Sequence, residues 1–316
     1  MTTVLCTGGA GFLGSHYVDF LLKNTDWDIV VWDCLNYSSK DAWRLREIGA
    51  FASTRFRFEN VDIGQMDKVP ASRPIDYIVH LAAETHVDNS IKHAWPFIQS
   101  NVVGTFKMLE YARLGVPNLK RFLYFSTDEV FGPWEGVTPT EFSGYNSSNP
   151  YAATKAAAEE LCVAWKKTYN LPVVISHCCN VFGERQHEEK FIPKLVKAIS
   201  GGHMVTIHAD EEGKSGSRMY VYAGDVARAI QLMITNDIKW DKFNIPGKEV
   251  SNEEMALCVA LALDKKLISR KAFPYAERPG WDFSYKIDGT SLCELLGWKP
   301  SENFIELLNH TVRSMK

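Results

Sequence analysis

No stretch of the chain approaches the roughly 20 consecutive apolar residues that a membrane span needs, so no membrane partner is expected. The N-terminus, MTTVLCTGGAG, runs at once into strand and glycine loop instead of a basic and apolar leader, which places the protein in a cytosol-like, cytoplasmic compartment. Long runs of one charge are also missing. The 35 basic and 38 acidic residues are interspersed and leave a net charge of −3, so neither a nucleic-acid stripe nor a patch for anionic lipid is expected. Cysteine is scarce and odd in number, seven with no CxxC pair, which reads as reduced thiols. The nine histidines form no HExxH and no Cys/His cluster with ligand spacing, so no metal is expected. There is no internal repeat and no low-complexity segment, and the Pro/Gly/Ser-richer region 132–150 reads as a substrate-side loop.

What is present is 316 residues, 46% of them hydrophobic, enough for one large core or a principal domain with a smaller companion. VLCTGGAGFLGSHYVDFLLKN reads as strand, glycine turn and amphipathic helix, with apolar residues at Val18, Leu21 and Leu22. Gly8, Gly11 and Gly14 follow GxxGxxG spacing, while Gly9, Gly11 and Gly14 also fit GxGxxG. Glycine lets the backbone turn tightly and approach a pyrophosphate, and the free N–H groups of the helix start supply donors. A second strand, WDIVVWD, ends at Asp33, 19 residues after Gly14, where a carboxylate accepts from both hydroxyls of an adenosine ribose. Cys34 follows it, not arginine, so a 2′-phosphate would meet uncompensated negative charge; NAD is expected over NADP.

Further strands end near Asp62-Ile63 and at Leu81-Ala82-Ala83, alternating with helical segments. That alternation predicts an α/β fold, a Rossmann-type doubly wound parallel sheet with ligand at the carboxyl ends of its strands. RFLYF then delivers STDEVFG, with Asp128 and Glu129 adjacent, to one such end. Downstream, Asn149 as cap and Pro150 at the first position open a helix in which Tyr151 and Lys155 are four apart on one face. An ammonium held near a phenol draws its pKa down from about 10 towards a range where it acts as a base.

TGGAGFLGSH, Asp33, HLAAETHVDNS, STDEVFG and NPYAATKAAAE, in that order and spacing, resemble the extended short-chain dehydrogenase/reductase superfamily. STDEVFG is similar to its nucleotide-sugar 4,6-dehydratase branch, whereas 4-epimerases usually lack the Asp-Glu pair. The resemblance runs on through EKFIPKL, SRMYVYAGDVARAI, ERPGWDFSYKID and LGWKP, nearly the whole chain. It implies catalytic roles for Thr127, Asp128, Glu129, Tyr151 and Lys155. It implies cofactor binding by Gly8, Gly11, Phe12, Leu13, Gly14, Asp33, Asn36, Asp62, Ile63, Leu81, Ala83 and Ser100, with Tyr151 and Lys155 at the nicotinamide end. It implies nucleotide-sugar binding by Thr85, Thr127, Asn180, Lys190, Arg218, Asn244 and Arg278.

The resemblance also implies two discontinuous units, 1–177 plus 215–243 for NAD and 178–214 plus 244–316, a smaller C-terminal domain, for the sugar nucleotide. Helices near 94–113 and 151–169 would form a four-helix homodimer interface. SRMYV stands where bacterial dTDP-glucose enzymes carry RDWLYV, and ERPGWD, with Trp281, where they carry DRPGHD. With THVDNS and LNYSS, these resemble UDP-glucose 4,6-dehydratases that begin UDP-rhamnose synthesis. UDP-glucose is therefore the expected substrate and dTDP-glucose the alternative, with a 4-epimerase and a non-catalytic NAD-binding protein as rival readings.

Overall fold

The computed structural model describes residues 1–66, 74–134, 136–237, 239–272 and 283–315. Its strands are β1 (Thr3–Thr7), β2 (Asp28–Asp33), β3 (Phe56–Asn60), β4 (Tyr77–His80), β5 (Arg121–Thr127), β6 (Val173–Cys178), β7 (Asn180–Phe182), β8 (Val205–His208), β9 (Ser217–Tyr222), β10 (Lys242–Ile245), β11 (Lys248–Ser251) and β12 (Ser269–Ala272). The helices are α1 (Phe12–Asn24), α2 (Trp43–Glu47), α3 (Val87–Lys92), α4 (Trp95–Phe97), α5 (Gly104–Gly115), α6 (Pro150–Tyr169), α7 (Phe191–Ser200), α8 (Ala223–Thr235), α9 (Asn252–Ala262), α10 (Thr290–Leu296) and α11 (Phe304–Ser314). None of the described helices is long and apolar enough to cross a membrane.

The main sheet has seven strands in the order β10-β6-β5-β4-β1-β2-β3, all parallel. Alternation along each strand supplies both faces. Val4, Cys6, Ile29, Val31, Val79 and Leu123 pack on one side with Tyr17, Val18 and Leu21 of α1 and Val226, Ile230 and Met233 of α8. Leu5, Val30, Trp32, Ile78, Phe122 and Tyr124 pack on the other with Met108 and Leu109 of α5 and Cys162 of α6. Burial on both faces is why these strands read as unbroken apolar runs, and each fully buried large side chain contributes about 1.5–3 kcal/mol. The strand order reverses between β1 and β4, which opens a crevice at their carboxyl ends.

A third core, built from Phe182, Ile192, Leu195, Val259 and Leu308, joins α7, α9 and α11. Within 215–243, the stretch that the resemblance assigns to the NAD unit, β9 pairs with β7 and β11 in a separate three-stranded sheet. The alternation of β9 explains its place: Tyr220 belongs to the third core and Val221 to the main one, so the strand lies between the two. Only α8 and β10 return to the main sheet. Conversely Leu292 of α10 and Trp298, from the segment expected in the smaller unit, pack in the main core, where Trp298 Nε1 donates to Asp225 O at 3.0 Å.

Candidate active site

A cleft of about 450 Å³ runs along the carboxyl ends of β1, β2, β4, β5 and β6. Its floor is the glycine turn. At Gly8, φ is +68° and an added Cβ would lie 2.7 Å from the Ala82 backbone; at Gly14 it would lie 2.2 Å from Gly8 O. No side chain larger than hydrogen fits either place. The α1 N-terminus carries no side-chain cap and no acid in its first turn, so its N–H groups suit an anion.

Asp33, nearly buried at the end of β2, accepts from Ala10 N (3.0 Å), Leu35 N (2.9 Å) and Ser39 Oγ (2.8 Å). A carboxylate has about four acceptor positions, so capacity is left for a ribose hydroxyl. Burial holds its pKa above the usual carboxylate value, against these hydrogen bonds and the nearby charge of Arg44. Arg44 was not anticipated. It is a buried cation beside Asp33, and its Nε and Nη1 donate to the carbonyls of Arg185, Ser38 and Ala10. The residues present thus fit a dinucleotide with a free adenosine ribose.

The other cofactor candidates line the same cleft. Phe12 and Leu13 open α1, Gly11 precedes them, and Leu81 and Ala83 follow β4. Asn36 donates to Glu84 (2.8 Å), while Asp62 accepts from Gly64 N (2.9 Å) and caps the short turn containing Ile63. Ser100 lies in Ile98–Val103, six residues wound as a π-helix between α4 and α5, a distortion that turns up repeatedly at functional sites.

The chemical end is built by β5 and α6. After Thr127 the chain enters a tight turn, Asp128–Phe131, where Thr127 Oγ1 accepts from Glu129 N (3.4 Å). Asp128 is 3% exposed, with Oδ1 3.3 Å from Thr127 Oγ1 and Oδ2 without a hydrogen-bond partner among the described residues. Its pKa is pushed up to about 7, first by burial and then by the charge of Glu129, while Arg218 and Thr127 pull it down. Glu129 is half-buried and accepts from Asn149 Nδ2 (3.1 Å). The same Asn149 caps α6, its Oδ1 accepting from Ala152 N (2.9 Å), so one residue ties Glu129 to the helix carrying Tyr151 and Lys155.

The Lys155 ammonium is anchored on β5. Its Nζ donates to Phe125 O (2.6 Å) and sits over the Tyr124 ring at 4.3 Å; burial lowers its pKa to about 8 against the charge of Glu159. The Tyr151 phenol is held well above its ordinary value, by burial and then by Glu129, with a hydrogen bond to Thr127 opposing this. Burial comes first and the charges of Glu129 and Asp128 follow, while Lys155 Nζ is bonded to the Phe125 carbonyl.

Of the substrate candidates, Thr85, Thr127, Asn180 and Lys190 line the cleft, with Lys190 Nζ donating to Thr85 O (3.0 Å) and Oγ1 (3.2 Å). Arg218 is not part of its lining: the guanidinium donates to Ser217 O (2.7 Å) and Phe283 O (2.9 Å), although its charge reaches Asp128. Asn244 is corrected. It is fully buried in β10 and its amide is engaged with His177, Asp288 O and Pro139 O, so it does not face the cleft. Arg278 and Trp281 lie outside the described residues. The sequence reading missed Cys178, Cys179, Gln186, His187 and Glu189 in the lining. Cys178 and Cys179 immediately precede Asn180 at the carboxyl end of β6, a position that marks them once the strand is placed.

A glycine cradle at a topological switch point, with two carboxyls, a tyrosine and a lysine at one end, defines a dinucleotide-dependent enzyme that does acid–base chemistry on a bound substrate. The model of the NAD dependent epimerase/dehydratase family matches residues 4–245. A dTDP-glucose 4,6-dehydratase of Neisseria gonorrhoeae is 37% identical over 334 residues, covering 98% of this chain and 94% of the relative. The crystal structure of a dTDP-glucose 4,6-dehydratase from Streptomyces venezuelae, solved with NAD bound, superposes with a TM-score of 0.89 at 33% identity, covering 99% of this chain and 96% of that one. A Bacillus cereus UDP-glucuronic acid 4-epimerase superposes with a TM-score of 0.88 at 25% identity, covering 99% of each. The chain belongs to the NAD dependent epimerase/dehydratase family, on its nucleotide-sugar 4,6-dehydratase branch.

Proposed function

We propose that the protein converts dTDP-glucose to its 4-keto-6-deoxy derivative by NAD-dependent 4,6-dehydration, a lyase reaction. The observation that carries the elimination is the pairing of a buried Asp128, whose pKa burial and the Glu129 charge push up, with Glu129 next to it at the strand end. The nucleotide follows the relatives: the expectation of UDP-glucose finds less support than dTDP-glucose, the substrate in the names of the Neisseria and Streptomyces enzymes. Uracil and thymine differ by one methyl, a contact of about 1–3 kcal/mol, so the departures at SRMYV and ERPGWD do not outweigh that similarity.

NAD, when bound, would supply the hydride acceptor for carbon 4 and, once reduced, would return that hydride to carbon 6 as a proton returns to carbon 5. Tyr151 removes the proton from the 4-hydroxyl, although burial first and the neighbouring carboxyls second hold its pKa up. Thr127 hydrogen-bonds the 4-oxygen. With carbon 4 oxidised, the proton on carbon 5 becomes acidic and Glu129 removes it, while Asp128, protonated, donates to the leaving 6-hydroxyl. Lys190 and Asn180 serve the nucleotide diphosphate.

Asp128 acts only while protonated. With its pKa near 7 in the free protein, kcat/KM is expected to be full below about pH 6 as far as this group is concerned and to fall as pH rises through about 7; loss of the Lys155 ammonium near 8 adds to the fall. A kcat/KM–pH profile of the parent against Asp128→Asn checks this: a parent profile flat from about pH 6 to 8.5 removes Asp128 as the acid.

For the assembly we propose a homodimer through α5 and α6. Trp95, Phe106, Leu114 and Tyr169 are 66%, 42%, 56% and 46% exposed, and Phe106 packs edge-on against Trp165 of the neighbouring helix at 5.7 Å. Phe106 of α5 and Tyr169 of α6 both pack on Trp165, and such an exposed aromatic cluster calls for a covering surface. Phe106→Arg is expected to yield monomer in sedimentation; an unchanged sedimentation coefficient, or a monomeric parent, rejects this interface.

The test of function is incubation of the purified protein with dTDP-glucose and with UDP-glucose separately, without added NAD, following loss of one water by mass spectrometry. Product from dTDP-glucose is expected. Product from UDP-glucose alone overturns the nucleotide, and no product from either after NAD is added overturns the reaction.

A further inference from the structure

Beneath the site, α6 carries a carboxyl that none of these roles uses. Glu159 stands one turn after Lys155 and is 0% exposed. Its Oε1 accepts from Ser126 Oγ, and its Oε2 accepts from Tyr145 OH at 2.9 Å and faces His177 Nε2 at 2.9 Å. The other ring nitrogen, Nδ1, lies 2.9 Å from Asn244 Oδ1. That amide's orientation follows from its far end, because Nδ2 donates to Asp288 O (2.9 Å) and Pro139 O (3.3 Å), leaving Oδ1 as an acceptor.

Nδ1 therefore carries a hydrogen, and a second proton lies between Nε2 and Glu159. Two other donors point at the same carboxyl, so imidazolium and carboxylate is the form in which each donor meets a full acceptor. Neither charge survives this burial alone. The Phe131 ring, with its centroid 4.7 Å from that of the imidazole, closes the remaining side.

We infer that His177 and Glu159 form a buried ion pair that positions the Ser126–Thr127 strand end and the Lys155 ammonium for the reaction, an inference whose functional half rests on the dehydratase reading. Three contacts carry it. Ser126 is bonded to Glu159 and precedes Thr127 on β5. Glu159 stands one turn after Lys155 on α6, so the bonds that fix its carboxyl to β5, β6 and Tyr145 also fix the turn of helix that carries Lys155. Through Asn244 the pair reaches β10 and the loops at Pro139 and Asp288, so the amide expected at the nucleotide serves here instead.

The pair acts through other residues, so its variants should lower kcat and spare KM. His177→Leu is expected to lose kcat on the order of 100-fold, with KM for the sugar nucleotide changed by less than about threefold. His177→Arg, which restores a cation with N–H donors, should recover most of that loss. Independently of turnover, 15N NMR of histidine-labelled parent protein at about pH 8, where free imidazole is neutral, should show both ring nitrogens of His177 protonated, and Glu159→Gln should abolish this. An unprotonated ring nitrogen in the parent overturns the ion pair, and a His177→Leu variant with parental kcat overturns the positioning role. If His177→Leu does not fold, His177→Asn takes its place in the kinetic comparison and the parent spectrum still decides the pair. A parent without turnover but with a doubly protonated His177 sinks the dehydratase reading and leaves the ion pair standing; a parent that turns over beside an unimpaired His177→Leu variant sinks the positioning alone.

Discussion

Glu129→Gln is expected to abolish formation of the 4-keto-6-deoxy product while NAD remains bound. The substitution keeps the shape of the side chain and a partner for Asn149 Nδ2, the residue that joins this position to the α6 cap. What it removes is the base. General-base contributions are about 10²–10⁴-fold, and an elimination with no substitute base nearby belongs at the upper end. Losing the Glu129 charge removes one of the two causes that hold the Asp128 pKa up, so Asp128 is less often protonated in the variant and the acid step weakens together with the base step. In a single-turnover experiment, NADH absorbance should rise and persist, since oxidation at carbon 4 precedes the blocked step. Full turnover by this variant would falsify the assignment of Glu129 and return the weight to a 4-epimerase, which has no use for the carboxyl pair.

Tyr151→Phe is expected to stop the reaction one step earlier, with a loss of about 10³-fold or more in kcat and no NADH signal. Only the phenol oxygen is lost. The side chain is 7% exposed and packs edge-on against Phe97 with ring centroids 6.4 Å apart, so a phenylalanine fits the same space and stability should change little. The backbone N–H of residue 151 still donates to Ser90 Oγ at 3.2 Å, which holds the helix start in place. The pair of variants separates the two halves of the mechanism: accumulation of NADH in Glu129→Gln and its absence in Tyr151→Phe places the tyrosine before the carboxyls. Identical signals from both would mean that one of the two assigned roles is misplaced.

The dinucleotide half of the site was legible because its physics is local. Gly8, Gly11 and Gly14 crowd backbone within a single turn, and Asp33 closes the next strand, so spacing along the chain is nearly spacing in space. The catalytic end was legible for a related reason. Thr127, Asp128 and Glu129 are consecutive, and Tyr151 and Lys155 share one helical face, so two short segments carry five side chains.

What stayed hidden depends on contacts across long separations. Lys155 lies four residues from Tyr151, but which atom its ammonium meets is decided by the Phe125 carbonyl from β5, and the phenol's environment by carboxyls more than twenty residues away. Asn244 and Arg218 have residue types suited to a diphosphate, yet β10 buries Asn244 within the core, while Arg218 on β9 donates from Nη1 to two carbonyls and its charge reaches Asp128. The Glu159–His177 pair joins residues 18 apart through a proton count that appears only when Asn244, 67 residues further on, fixes its amide. Residue types and short spacings set the fold class, the cofactor cradle and the reacting groups, because backbone conformation and helical period are local properties. Burial and long-range pairing set which of those groups are charged and which face the cleft, because desolvation and hydrogen-bond partners exist only once distant strands have packed.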